Sequence, residues 1–314
     1  MPFPGGKKNL LMSAPEAPAA PILLVEDNRA QARIMERMLA EGGLDFEVVH
    51  VGTLAAAKQH LAGTRAACIL LDLTLPDAER LDGLAEIRNV APEAPVVVVT
   101  ADDDSGRGIK AVQSGAQDYL MKGEMDTAQL CRSVRFAIER ARSEQQLAHR
   151  ALHDDLTGLP NRVLFLDRLT YSLAQSERQD SRVGIFFLDL DGFKGVNDRL
   201  GHLAGDELLR TMAARLLGWV RPGDTVSRFG GDEFTVLVRE VGGPSQAEQI
   251  ARRLTEAVAA PTEIDGEQIS LTPSIGIALG TGREKPDTLL DRADKAMYSA
   301  KRRLDTNYEI AEPA

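Results

Sequence analysis

The sequence predicts an α/β protein in two parts. The first is a five-stranded, doubly wound parallel sheet, and the second, beyond a helical linker, is an α+β domain. Three observations carry this. Apolar bursts alternate with helical spacing from Ile22 to Leu120, a stretch without Gly or Pro runs from Asp126 to Gly158, and a new rhythm begins after His153. Strands that alternate with helices imply right-handed crossovers and a parallel sheet covered on both faces.

The bursts fall at 22–25, 46–51, 67–71, 96–99 and 118–120. That at 96–99 is four valines, as suits a strand buried on both faces. Between them, Ile34, Met38 and Leu39 show the three-and-four spacing of an amphipathic helix. Asp126 or Thr127 can cap the next helix. Cys131, Val134, Ile138, Ala141, Gln145, Ala148 and Leu152 then fall on heptad a and d positions, all but Gln145 apolar. This fits both a last helix packed on its own sheet and a short parallel coil between two copies. About 25 helical residues span roughly 38 Å. The expected division is a disordered tail over 1–20, a core over 21–126, a last helix continuing as a stalk over 127–152, and a second domain over 153–314.

Composition narrows the classes of function. Of 314 residues, 43% are hydrophobic and 27% charged, with 37 Lys plus Arg against 47 Asp plus Glu. A net charge of -10 repels phosphate backbones and anionic lipid, so no nucleic-acid polymer is expected as partner. No apolar run approaches the roughly 18 residues of a membrane span, and Pro15 and Pro18 interrupt any leader-like start. A cytoplasmic location without membrane insertion is expected, with Cys68 and Cys131 as buried free thiols.

Function in open α/β sheets lies beyond the carboxyl ends of the strands. Here the first strand ends in Glu26-Asp27, the third in Asp72 and the fourth in Thr100, and the fifth leads to Lys122. Three converging carboxylates need a cation, and an all-oxygen set with room for water suits Mg²⁺. Lys122 adds fixed positive charge, and Thr100 a hydroxyl able to bond an added anion.

The second half repeats the theme. A strand over 183–190 ends in Asp189-Leu190-Asp191-Gly192, and a hairpin over 225–229 and 234–239 turns through Gly230-Gly231-Asp232-Glu233. Asp189 facing Glu233 across the sheet makes a Mg²⁺ site that invites phosphates as its remaining ligands. Two ions astride an α-phosphate activate an attacking hydroxyl and neutralise departing pyrophosphate. Lys194, opening the next helix, suits terminal phosphates. Asn197 and Asp206 form a donor and acceptor set that matches a guanine edge.

These residues carry two resemblances. Residues 21–142 resemble a response-regulator receiver domain. That implies a histidine kinase as partner, phosphorylation at Asp72, and one Mg²⁺ held by Glu26, Asp27, Asp72 and the Thr74 carbonyl. It also implies a switch of Thr100, Tyr119 and Lys122; Gly123 stands where many receivers have proline. The pentapeptide Gly230-Gly231-Asp232-Glu233-Phe234 is the signature of the GGDEF diguanylate cyclases. The likeness runs from His153 to about Tyr308 through Asp154-Asp155-Leu156-Thr157-Gly158-Leu159-Pro160-Asn161-Arg162.

The second resemblance implies a fold akin to nucleotidyl cyclases and polymerase palms. It also implies condensation of two GTP into cyclic di-GMP and two pyrophosphates at a homodimer interface. Asp189, Glu233 and the Leu190 carbonyl are then Mg²⁺ ligands, and Asp232 a candidate base. Gly230 and Gly231 lie close to the nucleotide, Asn197 and Asp206 read guanine, and Lys194 and Lys301 hold the triphosphate. The family's arginine four residues after Lys301 is here Asp305, with Arg302 and Arg303 nearby. Arg221-Pro222-Gly223-Asp224 resembles the inhibitory R-x-x-D site for product, and Arg252 a secondary product-binding arginine. A silent nucleotide-binding module and a phosphorylation-dependent interaction protein are the other classes; retention of Asp189 and Glu233 favours the enzyme.

Overall fold

In a computed structural model the described residues are 20–78, 81–101, 105–179, 181–303 and 306–312. The expected tail therefore lies outside them, save Ala20. The chain forms two compact units that divide between Gln146 and Leu147.

The first unit contains β1 (Ile22–Val25), α1 (Arg29–Glu41), β2 (Val48–Val51), α2 (Leu54–Leu61), β3 (Cys68–Asp72), α3 (Leu81–Val90), β4 (Val96–Thr100), α4 (Ser105–Gln113), β5 (Asp118–Met121) and most of α5 (Thr127–Leu152). All five strands are parallel in the order β2-β1-β3-β4-β5. One face of the sheet packs Leu24, Leu70 and Val97 against α1 and α5; the other packs Leu23, Ile69 and Val98 against α2 and α3. Register pairs Val25 with Leu71, Asp72 with Val99 and Thr100 with Met121, so the strands end at one edge. Met35 and Leu39 form the buried stripe of α1, whereas Ile34, expected inside, is exposed.

Asp126 begins α5 through a reciprocal cap: its Oδ1 accepts from the Gln129 amide and Gln129 Oε1 accepts from its own (2.7 and 3.0 Å). The heptad positions Cys131, Val134, Ile138 and Ala141 are buried in the first unit's own core. Gln145 donates to the Glu93 carbonyl, which leaves Ala148 and Leu152 for any seam between copies. The helix stops at Leu152, short of Gly158. There the Asn161 amide bonds the Leu152 carbonyl, and its side chain bonds that of Ala151 (2.8 and 2.9 Å).

The second unit contains α6 (Arg162–Gln179), β6 (Val183–Asp191), α7 (Phe193–Leu200), α8 (His202–Trp219), β7 (Thr225–Gly230), β8 (Glu233–Val238), α9 (Pro244–Ala259), β9 (Thr262–Ile264), β10 (Glu267–Ile269), β11 (Thr272–Gly280), α10 (Pro286–Lys301) and β12 (Tyr308–Ile310). Its main sheet runs β12-β11-β6-β8-β7, with β6 antiparallel to both β8 and β11. Side chains alternate across a strand. Phe186, Leu188, Phe234 and Val236 face α8 and α9, and Ile185, Phe187, Leu237 and Ala278 face α6 and α10. The same alternation puts Asp189, Asp191 and Glu233 on the α10 face.

Helix α10 lies directly on β11 at Gly276. A Cβ there would stand 1.9 Å from the Ala293 carbonyl oxygen and 2.1 Å from the Met297 nitrogen. Only glycine admits this approach.

Candidate active site and receiver site

At the carboxyl edge of the first sheet, Glu26 and Asp72 are buried and Asp27 is exposed. One oxygen from each lies within 4.8 Å of the others, which meets the all-oxygen requirement of Mg²⁺. Lys122 Nζ stands 2.6 Å from Glu26 Oε2 and 2.8 Å from Asp72 Oδ2, so fixed positive charge offsets the crowded carboxylates. The Thr74 amide and hydroxyl donate to Asp72 Oδ1 (3.0 and 2.9 Å) and orient the carboxylate. Thr100 is buried at the end of β4. The Tyr119 ring covers Gly108 of α4, where a Cβ would meet it at 2.3 Å. Two supporting residues went unread in the sequence: Gln31, whose Oε1 accepts from Lys122, and His50, whose Nε2 lies 2.7 Å from the Glu26 carbonyl.

In the second unit Asp189 and Glu233 are register partners across β6 and β8. The Leu190 amide donates to the Asp232 carbonyl (3.3 Å). Leu190's own carbonyl therefore points to the same side, past the last paired residues. Two carboxylates and a main-chain carbonyl at one edge fit a hard divalent cation. Lys301 Nζ bonds Asp189 Oδ1 at 2.6 Å, and this contact holds the ammonium above its usual pKa. Burial, then the charges of Asp294, Asp189 and Asp232, push the Glu233 carboxyl up. Burial likewise raises Asp191, against the hydroxyl of Ser274 (2.9 Å), which donates to it.

Asn197 packs where α8 carries Gly205: a Cβ there would stand 1.9 Å from Asn197 Oδ1. The glycine beside Asp206 thus seats Asn197 against Asp206's own helix. Lys194 is exposed on α7 and makes no ion pair among the described residues. Arg303 is committed to Glu309, Arg302 is exposed, and Asp305 lies outside the described residues.

Gly230 and Gly231 take φ of 151° and 51°, backbone that favours glycine. Arg228 holds this turn by donating to the Gly231 carbonyl from Nε and Nη2 (3.0 and 2.7 Å). Its Nη1 reaches both oxygens of Asp154 (2.9 and 3.0 Å). The sequence contained this clamp only as an acid in the segment after α5 and an arginine before the glycines.

The family description "Diguanylate cyclase, GGDEF domain" matches residues 151–307, half of the chain, and a response regulator receiver domain matches 22–135. The chain belongs to the GGDEF diguanylate cyclase family. Its GGDEF region is similar to the bifunctional diguanylate cyclase/cyclic di-GMP phosphodiesterase MucR of Pseudomonas aeruginosa, 41% identical over 58% of this chain and 27% of that protein. Diguanylate cyclase TpbB of the same species is 42% identical over 53% of this chain and 39% of its own. Response regulator PleD of Caulobacter vibrioides is similar through both domains, 33% identical over 89% of this chain and 63% of its own. The chain thus spans between about a quarter and two thirds of these relatives. Solved structures similar to the GGDEF domain include that of TpbB (40% identity, TM-score 0.48, 50% of this chain and 99% of that one). Another is DgcB of Caulobacter crescentus in complex with c-di-GMP (31%, TM-score 0.48, 52% and 94%).

The GGDEF domain also has a cavity of about 780 Å³ away from the catalytic edge, lined by Arg221, Asp224, Arg239 and Arg253 among others. Asp224 accepts from the Arg221 and Arg239 amides (3.3 and 3.2 Å), which fixes the turn. Arg252, the arginine expected here, does not line it. One residue along α9 is a rotation of about 100°, and Arg252 points instead to the Tyr308 hydroxyl (3.4 Å). Arg253, the next residue along the helix, lines the cavity.

Proposed function

We propose that this protein is a phosphorylation-regulated diguanylate cyclase that condenses two GTP into cyclic di-GMP and two pyrophosphates across a homodimer interface. The observation that carries the reading is the Asp189–Glu233 register pair under Lys301, beside a glycine turn that leaves the backbone open to a nucleotide. In each half-reaction the 3′-oxygen of one GTP forms a bond to the α-phosphorus of the other. The bond from that phosphorus to the bridging oxygen breaks, and pyrophosphate leaves. Asp232 accepts the hydroxyl proton, Lys301 and Lys194 hold the departing phosphates, and Asn197 and Asp206 select guanine. Asp189, Glu233 and the Leu190 carbonyl would hold Mg²⁺, two ions in this reading, which would supply neutralising charge to the phosphates.

Residues 21–126 act as receiver core, 127–152 as last helix and stalk, and 153–314 as cyclase. Asp72 accepts a phosphoryl group from a histidine kinase in a site with one Mg²⁺ held by Glu26, Asp27, Asp72 and the Thr74 carbonyl. Thr100, Tyr119 and Lys122 relay its arrival. Product binds at Arg221, Asp224 and Arg253 and inhibits. Among the described residues no helix is long and apolar enough to cross a membrane, in keeping with action in the cytoplasm.

Chromatography of the products of GTP and Mg²⁺ tests the reading. Cyclic di-GMP from the wild type and none from Glu233→Gln supports it. No cyclic di-GMP from a folded, dimeric sample overturns it in favour of a binding module.

A further inference from the structure

Lys122 brings three ammonium protons into the receiver site, and a lysine ammonium can only donate. Its Nζ donates to Asp72 Oδ2 at 2.8 Å and to Gln31 Oε1 at 2.5 Å, and stands 2.6 Å from Glu26 Oε2. The lysine side chain is 12% exposed, so little water is at hand to replace a lost partner. Two of these three neighbours are carboxylates expected to serve a cation, and Asp72 must also offer an oxygen to the phosphoryl group. Gln31 is the neutral one, and it carries no charge to draw a divalent ion away from the acids.

Gln31 and Lys122 are 91 residues apart, yet the place of Gln31 is set locally. Asn28 caps α1, and its Oδ1 accepts from the Ala30 and Gln31 amides (3.0 and 3.3 Å). The Asn28 amide in turn donates to Glu26 Oε1 at 3.1 Å. The cap thus ties the start of α1 to the acid pair and fixes Gln31, half-buried, about one helical turn beyond Asp27. Of the groups around the ammonium, Gln31 is the one held by a helix and not by the strand ends.

We infer that Gln31 is a positioning residue of the receiver site. When Glu26 and Asp72 are engaged with a cation and a phosphoryl group, Gln31 is the partner that Lys122 keeps, and it holds the ammonium beside Asp72 for the incoming phosphoryl oxygens. The inference rests on the reading of Asp72 as the phosphorylated residue and adds to it the side chain that aims Lys122. A hydrogen bond with a charged donor is stronger than one between neutral groups, so its loss has a measurable effect.

The test is a beryllofluoride titration of the full chain at saturating Mg²⁺, followed by fluorine magnetic resonance, for the wild type, Gln31→Met, Lys122→Met, the double variant and Asp72→Asn. Methionine keeps the length and helix propensity of glutamine and removes the acceptor. Gln31→Met should weaken beryllofluoride binding about tenfold, as the loss of one hydrogen bond to a charged group does. Made in Lys122→Met, the same change should alter binding by less than about twofold, since the two residues act as one unit. A merely structural role would weaken binding equally in both backgrounds. A second measurement needs no Lys122 variant: without beryllofluoride, the Mn²⁺ site lost in Asp72→Asn should keep its affinity in Gln31→Met within about threefold, whereas a disturbed ligand set would lose about tenfold or more. Unchanged beryllofluoride binding in Gln31→Met, equal loss in both backgrounds, or a matching loss of Mn²⁺ affinity overturns the inference. Failure of the phosphorylation reading is seen separately, as wild-type protein that binds no beryllofluoride or binds it no better than Asp72→Asn does.

Discussion

Arg228 joins the segment that follows α5 to the catalytic turn: its Nη1 closes on both oxygens of Asp154 while Nε and Nη2 hold the Gly231 carbonyl. Both side chains are largely buried, at 10% and 20% exposure. Asp154 also accepts from the Thr157 amide and hydroxyl (2.9 and 2.6 Å). The clamp therefore ties the segment that follows α5 to the turn expected to touch nucleotide.

Breaking the clamp should cost both stability and rate. Arg228→Ala leaves a mostly buried carboxylate without its partner, a loss of about 2–3 kcal/mol, near the low end for such pairs because some solvent reaches them. Arg228→Lys should recover little, since an ammonium cannot serve the carboxylate and the carbonyl together. Denaturant unfolding and turnover of the same variants check this.

The same pair sets a direction with pH. Burial acts to raise the Asp154 carboxyl, but bonds from Thr157 and Arg228 outweigh it and hold the group below the usual range. A depressed carboxylate contributes stability that is whole above its unfolded pKa, about 3.9, and is lost as pH falls through the folded value. Acid unfolding below about pH 4 should therefore be shallower in Asp154→Asn than in the wild type. An identical acid limb in the two proteins counts against the clamp.

Glu233 works in the opposite sense. Burial and three neighbouring acids raise its carboxyl, so its surroundings disfavour the ionised form. Without divalent cation, Glu233→Gln should stabilise the domain by less than about 1 kcal/mol, since solvent screens a group this exposed. Its melting temperature should rise by about 2 °C while cyclase activity disappears. A melting temperature below that of the wild type contradicts the charge crowding.

Gly276 and the cavity lined by Arg221 and Arg253 supply two further tests. Gly276→Ala places a methyl group against the backbone of α10 and must displace the helix that carries Lys301. A rise of tenfold or more in KM for GTP, measured by initial rates, is expected, in line with what about 1.4 kcal/mol of lost binding produces. For product, Arg253→Ala should weaken cyclic di-GMP binding by calorimetry, whereas Arg252→Ala should leave it within about twofold.

Much of this was legible in the residues. Val96–Thr100 and the acids beyond β1 and β3 follow from strand periodicity and from where parallel strands end. The α10 face of β6 follows from alternation alone. What escaped depended on tertiary geometry. Arg228 and Asp154 are 74 residues apart, and nothing local marks them as partners. Gly205 and Gly276 read as ordinary small residues until a neighbour's oxygen or backbone occupies the space of a Cβ. Arg252 and Arg253 are adjacent arginines on one helix, and only the helix's rotation decides which meets the cavity. Of the α5 heptad, Cys131, Val134 and Ile138 serve the receiver core, as a last helix packed on its own sheet requires.

In the proposed function, receiver phosphorylation controls a cyclase whose chemistry depends on Glu233. The most direct measurement is the rate of cyclic di-GMP formation from GTP and Mg²⁺ by the full chain, with and without beryllofluoride, beside Asp72→Asn and Glu233→Gln. The rate should change with beryllofluoride in the wild type, fail to respond in Asp72→Asn, and vanish in Glu233→Gln. A wild-type rate indifferent to beryllofluoride, or cyclic di-GMP from Glu233→Gln at the wild-type rate, would contradict it.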